Sequence, residues 1–254
     1  MSPKLPIVAR QAEFGKLNSF LERALAGHGQ LCFVTGDAGS GKTSLLAAFA
    51  ERAQTRYSEL VMASGFCDAQ TGIGDAYLPF REVLQLLTGD VEAKLAEGRI
   101  SSENADRLKR LVILGGETLV EMGPDLIGIL VPGAALLAKA GKYLAGKSRW
   151  ADTLRQRLET KRGAGQESIE QSQIFEQYVN VLRRLSEQAP LMLVLDDLQW
   201  ADAASLGLLF RLGRRLEGSR ILMVGMYRPN DLAQGRNGEP HPLGPIMAEL
   251  KRYL

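Results

Sequence analysis

The sequence predicts an α/β fold, a doubly wound and mainly parallel β-sheet with helices on both faces. Short apolar runs alternate along the chain with amphipathic helical patterns, and this alternation is typical of parallel sheets. The run at residues 191–195 is apolar at every position, as expected of a central strand that is covered on both faces. A glycine-rich turn also leads from the apolar run at residues 31–35 into a helical pattern. At 254 residues, the chain is long enough for one domain of this kind.

The first part of the chain is predicted to form a helix, a strand, a helix and a second strand. Residues 13–26 place apolar side chains at helical spacing, which favours an amphipathic helix. Residues 31–35 are too few and too rich in β-favouring side chains for a helix, so we predict a buried strand. The next helix is expected at residues 42–54, and the second strand at about residues 60–66.

A largely helical insertion is predicted at about residues 67–172, between the second strand and the next one. We expect its helices to break where glycines cluster, for example at Gly115 and Gly116. The stretch at residues 147–166 is rich in charge and glycine, and we interpret it as a mobile linker. No motif within the insertion indicates a function.

The alternation of helices and strands returns after the insertion. The predicted elements are a helix at 173–187, a strand at 191–195, a helix at 202–216 and a strand at 221–227. A polar loop rich in glycine and proline is expected at residues 228–242, and a short helix is expected after it.

Composition excludes several classes of function. Hydrophobic residues make up 45% and charged residues 24% of the chain, as in soluble globular proteins. A net charge of +2 gives no basic excess for nucleic-acid binding, and no apolar run of about 20 residues suits a membrane span. Cys32 and Cys67 fit no metal-ligand spacing, so we expect buried thiols and a reducing cytoplasm. Both histidines, His28 and His241, are expected at the surface.

The strongest motif is a complete P-loop at residues 36–43. Glycines allow the backbone to turn so that successive N–H groups point at phosphate oxygens, and the following helix adds its positive N-terminal end. Lys42 is expected to reach the β- and γ-phosphates, and Thr43 to offer its hydroxyl to Mg²⁺. The predicted nucleotide-binding residues in this motif are Gly36, Asp37, Ala38, Gly39, Ser40, Gly41, Lys42, Thr43 and Ser44.

Two carboxylates follow the apolar run at residues 191–195. Asp196 and Asp197 stand where the strand ends, and open α/β sheets bind their ligands at the carboxyl ends of strands. We predict that Asp196 holds Mg²⁺. Asp197 resembles in its position the carboxylate with which related ATPases orient or deprotonate the attacking water, so we expect the same role for it. The alternative is that the pair caps the next loop. An aspartate is one methylene shorter than the glutamate usual at such a position, so we expect slow turnover.

Arg228 closes the last predicted strand, just before Pro229. An arginine at the carboxyl end of a strand can face the γ-phosphate and act as a charge sensor. The alternative is a solvated arginine in a loop. We therefore place Arg228 with Lys42 and Asp197 in the predicted catalytic group.

Taken together, four segments resemble the ATPase module of the STAND class, signal-transduction ATPases with an AAA-like fold. The segments are residues 7–13, the P-loop, residues 195–202 (Leu-Asp-Asp-Leu-Gln-Trp-Ala-Asp) and residues 227–229. Modules of this class occur in large bacterial transcriptional regulators and in proteins linked to adenylate cyclase. The resemblance implies that ATP or ADP is the nucleotide, that Arg10 lies near its base and ribose, and that Arg228 is the sensor.

The family's core continues into a further strand, a helical lid and a winged-helix domain, whereas this sequence stops at Leu254. We therefore expect one P-loop ATPase domain at residues 1–254, without those parts. In the family order the further strand lies beside the strand at residues 31–35, which leaves that strand at an exposed edge. Exposed edges recruit partners, so we expect protein partners or self-association.

Three functions remain open at this point. The first is a regulatory switch whose ATP and ADP forms differ in their contacts, with slow hydrolysis as the reset. The second is a P-loop kinase, because Arg149, Arg155, Arg157 and Arg162 resemble an arginine-rich lid. The third is a motor or loader that acts on protein or nucleic acid, although near-neutral charge argues against direct nucleic-acid contact by this segment. We favour the switch.

Overall fold

The computed structural model describes residues 10–68, 76–133, 136, 151–156, 159, 170–234 and 240–252. Four parallel strands form one sheet in the order β1-β4-β3-β2. The strands are β1 (Gln30–Thr35), β2 (Val61–Phe66), β3 (Leu191–Asp196) and β4 (Ile221–Tyr227). The prediction of an α/β fold with a parallel sheet is confirmed. Most of the predicted linker at 147–166 lies outside the described residues.

Helices flank the sheet, and several of them lie in the described parts of the segment between β2 and β3. The helices with defined bounds are α1 (Gln11–Leu25), α2 (Lys42–Arg56), α3 (Leu78–Leu87), α4 (Val91–Ala96), α5 (Ser102–Met122), α6 (Leu126–Ile129), α7 (Gln171–Ser186), α8 (Ala203–Gly213), α9 (Pro229–Gln234) and α10 (Leu243–Leu250). Within the described ranges, none of the helices combines the length and apolar character that a bilayer span requires.

Residues 191–195 of β3 are apolar at every position because each face of the strand packs on a helical layer. Along β3, Leu191, Leu193 and Leu195 belong to the core formed with α3, α5, α7 and α8. The intervening Met192 and Val194 belong to the core formed with α1 and α2. Since side chains alternate across a strand, a strand covered on both sides needs apolar residues at every position.

Side chains cover the outer edge of β2. Asn104 of α5 accepts a hydrogen bond from Met62 N through Oδ1 (3.1 Å) and donates to Met62 O through Nδ2 (2.9 Å). Glu82 of α3 accepts from Phe66 N at 2.8 Å. These contacts satisfy edge groups that a further strand would otherwise pair with. On the opposite side of the sheet, β1 pairs only with β4 among the described strands.

Helix α5 runs without interruption through Gly115 and Gly116, so the prediction of a break at these glycines was wrong. A Cβ atom on Gly115 would lie 2.4 Å from the carbonyl oxygen of Leu87. The glycine therefore allows α5 to approach the end of α3 closely, which is a packing role that a sequence pattern does not distinguish from a helix break.

The carboxyl ends of β1, β3 and β4 meet at one edge of the sheet. Thr35 pairs with Tyr227, and Leu195 pairs with Gly225. The segments that follow these three strands therefore lie together, as is usual for ligand sites of open α/β sheets. The segment after β4, predicted as a loop, begins with helix α9, whose first residue is Pro229. Proline suits the first helical position because its missing N–H would have no partner there.

Candidate functional site

A cavity of about 290 Å³ lies at this edge and collects the predicted site residues. Its lining consists of Ala38 to Ser44, Asp196, Asp197 and Arg228. Arg10 lies beside it, because its guanidinium Nη2 donates to the carbonyl oxygen of Ser40 in the P-loop. Arg10 contacts the P-loop, and Arg228 lines the cavity beside it. The structure thus brings together residues that are 218 positions apart along the chain.

The P-loop backbone turns at two glycines with positive φ. Gly39 has φ +74° and Gly41 has φ +79°, a conformation that costs most other residues about 1–2 kcal/mol. Gly41 is also the N-cap of α2. No described residue accepts a hydrogen bond from the N–H groups of the first turn that follows, at residues 42–44. Such free donors at a helix N-terminus form an anion-binding site.

Lys42 and Ser40 add side-chain donors to this loop. Lys42 is only 9% exposed, and its Nζ donates to the carbonyl oxygens of Gly36 (2.7 Å) and Asp37 (3.1 Å). The hydroxyl of Ser40 is buried and has no hydrogen-bond partner among the described residues. A buried hydroxyl without a partner is costly, and a phosphate oxygen would satisfy it. The donor set fits a polyphosphate.

Asp196 is the last residue of β3, and the residue as a whole is 7% exposed. Its Oδ1 accepts from Asp197 N at 2.7 Å, and its Oδ2 lies 3.5 Å from Thr43 Oγ1. Burial raises the pKa of Asp196, and the neighbouring negative charge of Asp197 raises it further. A bound cation would oppose both effects.

The oxygens of Thr43 and Asp196 suit Mg²⁺, which prefers hard oxygen ligands. The described residues contain no group of three or more His, Cys, Asp or Glu side chains that could hold a metal by themselves. Mg²⁺ commonly binds through one or two protein oxygens together with water and substrate phosphates. The residues present therefore fit a metal ion that arrives with a nucleotide.

Asp197 has a left-handed backbone, with φ +55°. In the described part of the chain, Tyr77 is the only other residue besides glycine with positive φ. The carboxylate Oδ1 of Asp197 accepts from Gln199 Nε2 at 2.7 Å and lies 3.4 Å from Arg228 Nη2. Uncommon backbone conformations cluster at functional sites, where surrounding contacts hold them, and two such contacts hold Asp197.

Three residues at the site have no place in the sequence-based prediction. Gln199 is 1% exposed and bridges the ends of β3 and β4, because its Oε1 accepts from Arg228 N at 3.1 Å. Asn230 of α9 donates to Asp37 Oδ1 at 2.8 Å and so connects the segment after β4 to the P-loop. Gln199 belongs to the segment at residues 195–202 that resembles the STAND class, but the sequence indicates no role of its own for it. No sequence pattern singled out Asn230.

The third residue is His241, whose predicted surface position was wrong. Its side chain is buried at 4% exposure, and its Nε2 lies 3.0 Å from the carbonyl oxygen of Gln199. Leu243 N donates to its Nδ1 at 3.2 Å. His28, in contrast, is exposed as predicted and contacts Glu217.

A family model provides the comparison with known proteins. The model described as the AAA ATPase domain matches residues 6–224. The matched range includes Arg10, the P-loop, Asp196 and Asp197, and it ends within β4 before Arg228. None of the curated proteins matches the chain. Because the family model covers most of the chain and the P-loop lies at the carboxyl edge of a parallel sheet, the chain belongs to the AAA ATPase domain family and is a nucleotide-binding P-loop module.

Proposed function

We propose that the chain binds ATP with Mg²⁺ and acts as a slowly hydrolysing regulatory switch in a STAND-class signal-transduction ATPase of the kind found in transcriptional regulators. The observation that carries this proposal is the contact between Arg228 and Asp197 at the wall of the P-loop cavity. It joins the residue proposed to sense the γ-phosphate to the residue proposed to activate water. The STAND-type segments support the signalling role.

The proposed roles follow from where each donor and acceptor lies. Lys42 and the N–H groups at the start of α2 hold the β- and γ-phosphates. Thr43 and Asp196 hold Mg²⁺, which when bound neutralises charge that develops on the phosphates. Arg10 is proposed to lie near the ribose and base, and its contact with the P-loop at Ser40 supports this role.

Asp197 is the proposed general base. Water attacks the γ-phosphorus of ATP, the bond to the β-phosphate oxygen breaks, and the products are ADP and phosphate. Asp197 accepts the proton that the attacking water releases. Turnover is expected to be slow because the aspartate side chain is one methylene shorter than the glutamate of faster ATPases.

The switch depends on which partner Arg228 takes. Its guanidinium lies 3.4 Å from Asp197 and 3.9 Å from Asp231. A γ-phosphate at the P-loop would attract this guanidinium, whereas ADP would leave it with the two carboxylates. A ligand shifts a conformational equilibrium only by its difference in affinity for the two states. Arg228 provides the difference in affinity, because it would contact the γ-phosphate of ATP but not ADP. Asn230 connects the segment that follows Arg228 to the P-loop, because it donates to Asp37.

The test is nucleotide retention combined with steady-state turnover of the purified chain. We expect selective binding of ATP and ADP over GTP, turnover on the order of 10⁻² s⁻¹ or slower, as in intrinsically slow regulatory NTPases, and bound ADP after gel filtration. Rapid turnover in the usual enzyme range of about 1–10³ s⁻¹, without any partner, would contradict the switch. A strong increase on adding DNA or a protein substrate would instead favour a motor or loader.

We also propose that the chain meets protein partners, including a second copy of itself, through the outer edge of β1. The support is that β1 pairs only with β4 among the described strands, while side chains cover the corresponding edge of β2. The expected result is a weight-average mass that rises with concentration in sedimentation equilibrium. A constant monomer mass across the series would contradict self-association.

The proposed setting is the reducing cytoplasm. Cys32 and Cys67 are free, buried thiols, and burial raises the pKa of Cys32 to about 12. Burial also raises the pKa of Cys67. Thiols of this kind are chemically inert structural residues, which agrees with a chain that does not rely on disulfides.

A further inference from the structure

The side chain of Gln199 forms a bridge whose orientation is determined by its partners. Nε2 donates to the carboxylate of Asp197 at 2.7 Å, and Oε1 accepts from the backbone N–H of Arg228 at 3.1 Å. A carboxylate only accepts and a backbone N–H only donates, so the amide cannot be flipped without losing both hydrogen bonds. Because the residue is 1% exposed, water cannot readily replace either bond.

This bridge selects one oxygen of Asp197. Oδ1 accepts from Gln199 and faces Arg228 Nη2 at 3.4 Å. No described residue donates to Oδ2, and Asp197 lines the P-loop cavity. Rotating the carboxylate would break the Gln199 contact, so the bridge keeps Oδ2 as the oxygen with free lone pairs.

The backbone of Gln199 is held as well. His241 Nδ1 accepts from Leu243 N–H, so this nitrogen carries no proton and Nε2 is the protonated position. Nε2 therefore donates to the carbonyl oxygen of Gln199 at 3.0 Å. The bridge is consequently anchored on one side to β4 and on the other to the segment that begins α10.

We propose that Gln199 is a positioning residue for hydrolysis, which orients Asp197 so that Oδ2 receives the proton of the attacking water. This inference rests on the proposed ATPase function. The positioning role requires a side chain at position 199 with one hydrogen-bond donor towards Asp197 and one acceptor towards Arg228 N. A neutral imidazole also has one donor and one acceptor nitrogen. Glutamate, although nearly isosteric, would place a second carboxylate against Asp197.

The test compares three variants at this position by turnover and by affinity for ATP. Gln199→Leu and Gln199→Glu are expected to lower kcat by about 10- to 100-fold, because misplacing a reacting group by about 1 Å can cost about 100-fold. The Kd for ATP should change less than about threefold, since Gln199 lies behind Asp197 rather than in the P-loop. Gln199→His is expected to keep kcat within about fivefold of the wild type.

Gln54→Leu is the matched control for loss of a buried glutamine. Gln54 is 8% exposed and donates to Leu60 O and Asn104 Oδ1, away from the cavity. This variant should lose stability in thermal unfolding and keep its kcat. If Gln199 were only a structural residue, its Leu and Glu variants would also lose thermal stability and keep the wild-type kcat.

A double-mutant cycle separates positioning from a general loss of order. In an Asp197→Asn background, Gln199→Leu should lower kcat by less than about twofold, because residues that act as a unit are not additive. Additive losses would overturn the inference, as would unchanged kcat in both the Leu and Glu single variants. Absence of hydrolysis by the wild type would overturn the proposed function, and this inference with it.

Discussion

Lys42→Ala should weaken ATP binding by at least about 30-fold. Lys42 is 9% exposed, and its ammonium donates to Gly36 O and Asp37 O inside the P-loop, so it is held beside the N–H groups expected to bind the phosphates. Removing one partner of a buried, hydrogen-bonded charge pair costs about 2–5 kcal/mol, and each 1.4 kcal/mol is a factor of ten in affinity. Equilibrium titration with a fluorescent ATP analogue, competed by ATP and by ADP, measures the effect.

Lys16→Ala is the matched control for this measurement. Lys16 is an exposed residue of α1, so the variant loses the same charge and should keep wild-type affinity. The loss in Lys42→Ala should be larger for ATP than for ADP, because the ammonium is placed to reach the γ-phosphate as well as the β-phosphate. Equal affinities of Lys42→Ala and the wild type would mean that the P-loop does not hold the nucleotide.

Local patterns were sufficient to predict the strands of the sheet. The strand at residues 221–227 coincides with β4, and the strand predicted at residues 191–195 differs from β3 by one residue. These strands are covered on both faces, and their continuous apolar runs are too short for a typical helix, so the runs favour buried strands. The P-loop was equally predictable. Gly39 and Gly41 have positive φ angles, and because glycine adopts such angles most easily, the glycines in the sequence indicate where the turn occurs.

Contacts between distant segments were not predictable in this way. His241 lies 42 positions from Gln199 along the chain, and a lone histidine in a polar loop gives no sign that its ring is buried. Gly115 resembles a helix break until the carbonyl of Leu87 is seen beside it. Both errors have the same physical origin: the partner that decides the role of the residue is brought near only by tertiary packing.

Asp196→Asn is expected to make the chain more stable and far less active. Burial and the charge of Asp197 raise the pKa of Asp196, which means that the folded state opposes ionisation of this carboxyl. Removing the charge should raise the free energy of unfolding, measured without nucleotide or Mg²⁺, by about 0.5–2 kcal/mol, the range of stabilising single substitutions. Mg²⁺-dependent hydrolysis should fall by about 100-fold or more, because metal stabilisation of transition-state charge contributes several kcal/mol.

The pH dependence of stability tests independently whether the ionised carboxylate of Asp196 destabilises the folded state. A carboxyl with a raised pKa in the folded state keeps its proton where the unfolded chain has lost it, so the wild-type free energy of unfolding should fall as pH rises above about 4, the ordinary carboxyl value. This contribution should be absent in Asp196→Asn. Urea unfolding at a series of pH values measures this contribution. Identical pH profiles of the wild type and Asp196→Asn would show that ionisation of Asp196 does not lower the free energy of unfolding.

Asp202→Ala provides a control of opposite sign from the same segment. Asp202 is the N-cap of α8 and accepts from Ala204 N (2.8 Å) and Ser205 N (2.9 Å), and loss of an N-cap costs about 0.5–2 kcal/mol. Removing the charge at position 202 should therefore lower the free energy of unfolding, whereas removing it at position 196 should raise it. A carboxylate that a protein retains against its own stability is retained for a ligand, so opposite signs at these two aspartates would separate the metal site from the fold. A loss of stability in both variants would make Asp196 a structural residue and remove the main support for Mg²⁺ binding at this edge of the sheet.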